Sequence, residues 1–410
     1  MATATVTRDA PRALVLLLGA AVFLNYVDRG AVGIAAPLMQ GDLGLSATQF
    51  GTAVSAFFWM YVPVQLFVGW LCDRFSVYRL MALGVMVWAA STLLMGLAGG
   101  FLSLLVLRVM LGLGESIAFP GSSKIIARHV PPERRGVANA VVSTGIALGP
   151  AVGTLAGGLI VASLGWRPMF VIFGLATLIW LLPWRRAVAA LAPGVEQERD
   201  APVPVRSLIR RWSMWSMGIG HFASNYGFYF LLAWLPLYLT KQRGLSIVEM
   251  TWLATLGYAV QAVAALWLGS ISDRWTRSGR SEAAIRRWMM AIAQAVLAAC
   301  IAGIAISSSM TLVGLYLCLA GAATAALSTN TFAIAQMFSG PRAAGSWIGI
   351  QNAIGNSSGI VGPIVSGWLI DRTGGNYNSA FVLAAGIAAF GAFWWAFGVP
   401  RIEQVKVAAG

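Results

Sequence analysis

Apolar residues run along this chain in blocks of about 20, separated by short polar breaks. Each block is long enough to cross roughly 30 Å of hydrocarbon as a helix. None shows the period-two alternation of a lipid-facing barrel strand, and lipid leaves only helices and closed barrels as ways to satisfy a backbone. The blocks predict spans at 13–38, 49–72, 79–98, 101–123, 137–162, 167–184, 213–239, 248–271, 287–307, 310–334, 344–370 and 379–399. The expected fold class is an all-α integral membrane protein of twelve transmembrane helices.

The longest polar break, 185–212, divides these spans into two sets of six. It predicts an N-terminal bundle at 1–184, a linker loop at 185–212 and a C-terminal bundle at 213–410. An internal repeat supports the division. Gly69-Trp70-Leu71-Cys72-Asp73-Arg74 closes the second span, and Gly269-Ser270-Ile271-Ser272-Asp273-Arg274 closes the eighth, 200 residues later. Gly149-Pro150-x-x-Gly153 in the fifth span is echoed by Gly362-Pro363-x-x-x-Gly367 in the eleventh. Parallel six-helix halves related by an axis along the membrane normal are a known transporter design, with the binding site at the midplane between them.

Composition sharpens this picture. The chain is 58% hydrophobic and only 10% charged, against about 25% charged in a soluble domain. Its net charge of +14 would suit a nucleic-acid partner, but the placement of the charges excludes that reading. With the N-terminus inside, the even-numbered loops and the two tails carry 22 of the 28 Lys and Arg. The odd-numbered loops hold only Arg167, Lys241, Arg243 and Arg372. That asymmetry predicts both termini in the cytoplasm. The apolar run after Arg8 and Arg12 is too long for a signal peptide and is kept as the first span. Cys72, Cys300 and Cys318 share no ligand spacing and read as small buried hydrophobes. No metal or cofactor is expected.

Four ionisable residues fall inside the spans: Asp28 and Arg29 in the first, Arg108 and Glu115 in the fourth. Charge at such depth costs roughly 2.5–3.5 kcal/mol per residue on insertion scales and defaults to a functional reading. Seven-residue spacing puts Arg108 and Glu115 on one helix face, whereas adjacent Asp28 and Arg29 point about 100° apart. The quartet is neutral when all four are ionised. A monocarboxylate entering alone leaves one uncompensated charge in a low-dielectric cavity, and a proton arriving with it on Glu115 or Asp28 restores balance. The planar fork of Arg29 suits a carboxylate better than a lysine would.

The Gly-x-x-x-Asp-Arg motif in both halves, the twelve spans and the basic central loop resemble the major facilitator superfamily over nearly the whole chain. Ser76 stands where that superfamily usually has glycine. Asn25-Tyr26-x-Asp28-Arg29, with Arg108, Glu115 and Phe119-Pro120, further resembles its anion:cation symporter family, which includes bacterial galactonate, glucarate, hexuronate and phthalate-type permeases. The resemblance implies two six-helix bundles with pseudo-two-fold symmetry in a bacterial inner membrane. It implies a proton-coupled symporter of an organic carboxylate, not an enzyme. Arg29 would bind the substrate carboxylate, Asp28 and Glu115 would carry protons, and Arg108 would tune them. Tyr26 and Tyr61 fall where the family places substrate-contacting tyrosines, and its Gly-Asn motif puts Asn356 at the substrate.

Asn225 and Tyr229 lie in a seventh span whose glycine and proline suggest a bendable path-lining helix. Asp73, Arg74, Asp273 and Arg274 read as cytoplasmic gate latches, Asp73 meeting the positive end of a neighbouring helix. Ile146 stands where carriers of polyhydroxylated sugar acids tend to have a polar residue, which favours a less hydroxylated carboxylate. The expected partners are a small organic carboxylate, protons and the bilayer around a monomer. Two alternatives stay open. Gly145-x-x-x-Gly149-Pro150-x-x-Gly153 is close to a motif of drug/proton antiporters, although small residues four apart also serve close packing. A transporter-like sensor is the other, disfavoured by the lack of an output module.

Overall fold

The structure, a computed structural model, describes residues 10–131, 135–191 and 205–405, and these are almost wholly helical. The helices are α1 (Ala10–Asp42), α2 (Ala47–Arg74), α3 (Val77–Met95), α4 (Phe101–His129), α5 (Arg135–Leu164) and α6 (Trp166–Ala189). After a short turn at Val205–Ile209 come α7 (Trp212–Leu237), α8 (Ile247–Arg277), α9 (Glu282–Ile306), α10 (Met310–Gly340), α11 (Ser346–Arg372) and α12 (Asn378–Gly398). Each overlaps one expected span.

Eleven of them are long and apolar enough to cross a membrane by composition; α7 is not. The polar groups of His221, Asn225, Tyr226 and Tyr229 lower its hydropathy. Eighteen of its 26 residues are buried, so protein rather than lipid surrounds it. Polar groups at membrane depth are tolerated in that setting.

Local chemistry sets the helix ends. Gly44 and Gly244 take positive φ of 61° and 71°, which only glycine enters cheaply. Ser46 and Ser246 then cap α2 and α8 in capping boxes with Gln49 and Glu249. The two turns stand 200 residues apart, the same offset as the Gly-x-x-x-Asp-Arg pair. Within α4 the helix interrupts after Glu115 and resumes at Ala118. Pro120 lies just beyond, and its ring conflicts with the carbonyl four residues earlier, at Ser116. A similar interruption in α11 follows Asn356.

Within the first bundle α1 lies along α5. A Cβ on Gly145, Gly149 or Gly153 would stand 2.7, 2.5 or 2.8 Å from Gly19, Tyr26 or Val27, so the glycine stripe is used up in close packing. Between the bundles, α2 packs on α11, α5 on α8 and α1 on α7. The tightest approaches lie toward the end opposite the termini. There Cβ atoms on Gly33, Gly51 and Gly367 would meet the carbonyls of Leu232, Pro363 and Ala47 at 2.2, 2.1 and 2.3 Å. At the same end the Asp371 carboxylate accepts from the backbone N–H groups of Ala47 (3.0 Å) and Thr48 (2.8 Å), at the start of α2. Lys241, in the π-turn after α7, donates to Gln40 of α1. The bundles are therefore closed together at this far end.

Candidate functional site

The four charged residues expected inside the membrane are all buried, with exposures of 1% for Asp28, 7% for Arg29, 2% for Arg108 and 0% for Glu115. They form one ion pair rather than two. Arg29 Nη2 donates to Glu115 Oε2 at 3.0 Å and to Asn25 Oδ1, one turn earlier on α1, at 3.2 Å. Its guanidinium carbon lies 5.0, 5.2 and 4.9 Å from the ring centres of Tyr26, Phe57 and Tyr61. Such an aromatic cage attracts the cation while leaving the guanidinium edge open to oxygen ligands.

Asp28 points the other way, as its 100° offset requires. Its Oδ2 accepts from Trp88 Nε1 (2.5 Å) and Thr92 Oγ1 (3.4 Å) of α3, and from Thr177 Oγ1 (3.4 Å) of α6. Among the described residues it has no ion-pair partner, and Oδ1 has no hydrogen-bond partner. Arg108 shares the Glu115 face of α4 but, among the described residues, holds no carboxylate at ion-pair distance. It donates to the α2 carbonyls of Val54 (3.1 Å) and Ala53 (3.4 Å) and lies 5.0 Å from the Phe57 ring centre.

The opposite wall comes from the second bundle. Tyr229 donates to Asn356 Oδ1 at 2.6 Å, and Asn225 Nδ2 to the same oxygen at 3.3 Å. Asn356 stands at the α11 interruption, where backbone regularity is already lost. The Phe58 and Tyr229 rings meet across the seam at 4.7 Å. Between these walls lies a narrow cavity whose lining includes Arg29, Val54, Phe57, Phe58, Arg108 and Tyr229. Further along the seam Asn352 donates to Gln65 at 3.0 Å, joining α11 to α2.

The structure thus gathers Tyr26, Arg29, Tyr61, Arg108, Glu115, Asn225, Tyr229 and Asn356 around one region between the bundles and puts Asp28 behind it. Ile146 is half-buried and packs against the core, and the Thr144 hydroxyl turns back to the Ala140 carbonyl. Arg74 ends α2 and Arg274 lies in the last turn of α8, both as exposed residues, while the side chains of Asp73 and Asp273 lie outside the described residues. Sequence reasoning missed Phe57, Phe58 and Gln65 on α2 and the Trp88, Thr92 and Thr177 donors. It also missed Asp371, although Gly367-Trp368-Leu369-Ile370-Asp371-Arg372 repeats the Gly69–Arg74 motif.

Comparisons with known proteins agree with this architecture. The family model of the Major Facilitator Superfamily matches residues 18–281 and 279–409. A hexuronate transporter of Bacillus subtilis (strain 168) is 29% identical over 395 residues, covering 92% of each chain. A probable sulfoacetate transporter, SauU, of Cupriavidus necator is 29% identical, covering 90% of this chain and 89% of the relative. A probable galactarate/D-glucarate transporter, GudP, of Bacillus subtilis is also 29% identical, covering 92% and 89%. Among solved structures, a bacterial homologue of the human lysosomal transporter Spinster, inward-facing and occupied, superposes with a TM-score of 0.77. It is 20% identical and covers 95% of this chain and 97% of that one.

Proposed function

The chain belongs to the major facilitator superfamily, and on that premise we propose that it is a proton-coupled symporter importing an organic carboxylate by alternating access. One observation carries the reading: a buried Arg29–Glu115 ion pair inside an aromatic cage, facing a cavity between the two bundles. The relatives named for hexuronate, sulfoacetate and galactarate/glucarate support an organic anion as cargo.

The geometry suggests an order of events. Glu115 occupies Arg29 while the cavity is empty of substrate. A proton on Glu115 weakens its hold, because a neutral acid is a poorer partner for a guanidinium than a carboxylate. The substrate carboxylate then takes the Arg29 fork, and the charge of the core is conserved. Tyr26, Tyr61, Tyr229, Asn225 and Asn356 supply donors and aromatic walls around the rest of the molecule. Asp28, held by neutral donors behind Arg29, carries a second proton, and Arg108 tunes the pair. The halves 1–184 and 213–410, joined by 185–212, rock about this site. Asp73, Arg74, Asp273 and Arg274 latch the end at which the termini lie. The basic bias of that end supports placing it in the cytoplasm of a bacterial inner membrane, so the far-end closure described above corresponds to an inward-facing state. A monomer suffices for this cycle.

Uptake of labelled carboxylates into proteoliposomes, with and without an inward proton gradient, tests the reading. Gradient-driven accumulation of a carboxylate is expected. Glu115→Gln keeps the shape of the pair but not its proton, so counterflow exchange should survive while concentrative uptake is lost. Accumulation by Glu115→Gln against a substrate gradient would sink the assignment of Glu115.

A further inference from the structure

Charge in the cavity is unevenly matched. Glu115 pairs with Arg29 through Nη2 alone, leaving Arg29 Nε and Glu115 Oε1 buried without a hydrogen-bond partner, and Asp28 is turned away among Trp88, Thr92 and Thr177. Arg108 lines the same cavity as Arg29 with no carboxylate at ion-pair distance among the described residues. Its Nη1 is buried and has no hydrogen-bond partner, although Nη2 and Nε reach the α2 carbonyls. A buried charged donor left unmatched marks a place where something else binds. Both guanidinium carbons lie close to the Phe57 ring centre, at 5.2 Å for Arg29 and 5.0 Å for Arg108. They are therefore no more than about 10 Å apart.

We propose that Arg108 is a second anion subsite, and that the substrate is a short dianion, a dicarboxylate or sulfocarboxylate, held by Arg29 at one end and Arg108 at the other. The proposal rests on the reading of this cavity as an organic-anion site and narrows its cargo. The separation favours compact molecules, because each guanidinium–acid pair itself occupies part of the distance between the two arginines. Phe57 lies beside both arginines and supplies an apolar wall for the carbon chain linking the acid groups. Charge then balances in a definite way. With Asp28 and Glu115 both protonated the two arginines leave the core at +2, and a dianion returns it to zero. The loaded carrier holds two protons per dianion and crosses without net charge.

The test is equilibrium binding to the purified full chain, read by isothermal calorimetry in a chloride-free buffer that contains no other organic anion. Malonate, succinate and tartrate are each compared with their monoamides, which match the acid in size but carry one charge. The proposal expects at least one diacid to bind about tenfold or more tightly than its own monoamide. Glutarate and adipate should bind progressively more weakly. Arg108→Gln should bring the diacid and monoamide affinities to within about twofold, by losing the diacid advantage while monoamide binding persists. Arg108→Lys, which keeps the charge without the planar fork, should retain part of the preference. Equal affinity of diacids and monoamides in the unaltered protein would overturn the second subsite but leave the carboxylate reading standing. Equal loss of both ligands in Arg108→Gln, with Arg108→Lys behaving the same way, would reduce Arg108 to a staple between α4 and α2. Chloride displacing succinate from the unaltered protein, but not from Arg108→Gln, would make the subsite one for an inorganic anion. Absence of binding by every diacid and monoamide would instead overturn the organic-anion reading itself.

Discussion

A single residue, Asp28, shows how little a side chain's identity says about what it faces. Charge in an apolar run is conspicuous, so the quartet was legible from sequence alone, as was the shared face of Arg108 and Glu115. The partners were not. A 100° step around α1 separates Arg29, in the cavity, from Asp28, which faces α3 and α6. Trp88, Thr92 and Thr177 are ordinary residues for a membrane helix and carry no signal that marks them as donors. Their arrangement makes a clean prediction. Asn at position 28 keeps a carbonyl oxygen for all three donors, so Asp28→Asn should fold normally and leave the Arg29–Glu115 pair intact. Substrate affinity should stay within about threefold of the unaltered protein, under 1 kcal/mol, while proton-driven accumulation into proteoliposomes disappears. Undiminished accumulation would make Asp28 a structural acceptor only.

Helices in this chain begin and end where their local chemistry says they should, and break where the site needs them to. The capping boxes at Ser46 and Ser246 and the positive-φ turns at Gly44 and Gly244 share the 200-residue offset of the internal repeat but were not read from the sequence. The interruptions after Glu115 and Asn356 were harder to read, because proline and glycine also occur in unbroken membrane helices. The third Gly-x-x-x-Asp-Arg copy, at Gly367–Arg372, has a visible consequence at the scale of an element. Its aspartate caps the N-terminus of α2 from the other bundle, where the helix dipole and unpaired N–H groups favour an anion. This contact exists only while the far end is closed. Removing a capping side chain costs about 1 kcal/mol, so Asp371→Ala should shift the closed-to-open ratio at that end by about fivefold toward open. Spin-label distance distributions across α2 and α11 at that end measure the ratio directly. An unchanged distribution would show that the glycine approaches at Gly33, Gly51 and Gly367 hold the end shut without it.

At the scale of the whole molecule, the two halves divide the work unequally. Among the described residues the first bundle holds all four buried charges, whereas the wall from the second is built of the neutral groups Asn225, Tyr229 and Asn356. The division has a physical rationale: charge kept within one rigid bundle does not have to be separated when the bundles move apart, and neutral hydrogen bonds across the seam break cheaply. With the far end closed, the site can open only toward the end that carries the termini, and which compartment that is depends on sidedness. Sidedness is thus the premise on which direction of transport depends, and the basic bias of the even-numbered loops and tails carries it. Ser308, between α9 and α10, and Ser278, between α8 and α9, are both exposed and lie at opposite ends of the bundle. In intact cells expressing each cysteine variant, a membrane-impermeant maleimide should label Ser308→Cys and not Ser278→Cys, with both labelled once the membrane is opened. The buried Cys72 and Cys300 and the half-buried Cys318 set the background, measured in the unaltered protein. The reverse pattern would place the termini outside, and the closed far end would then face the cytoplasm, making the same structure an outward-facing carrier.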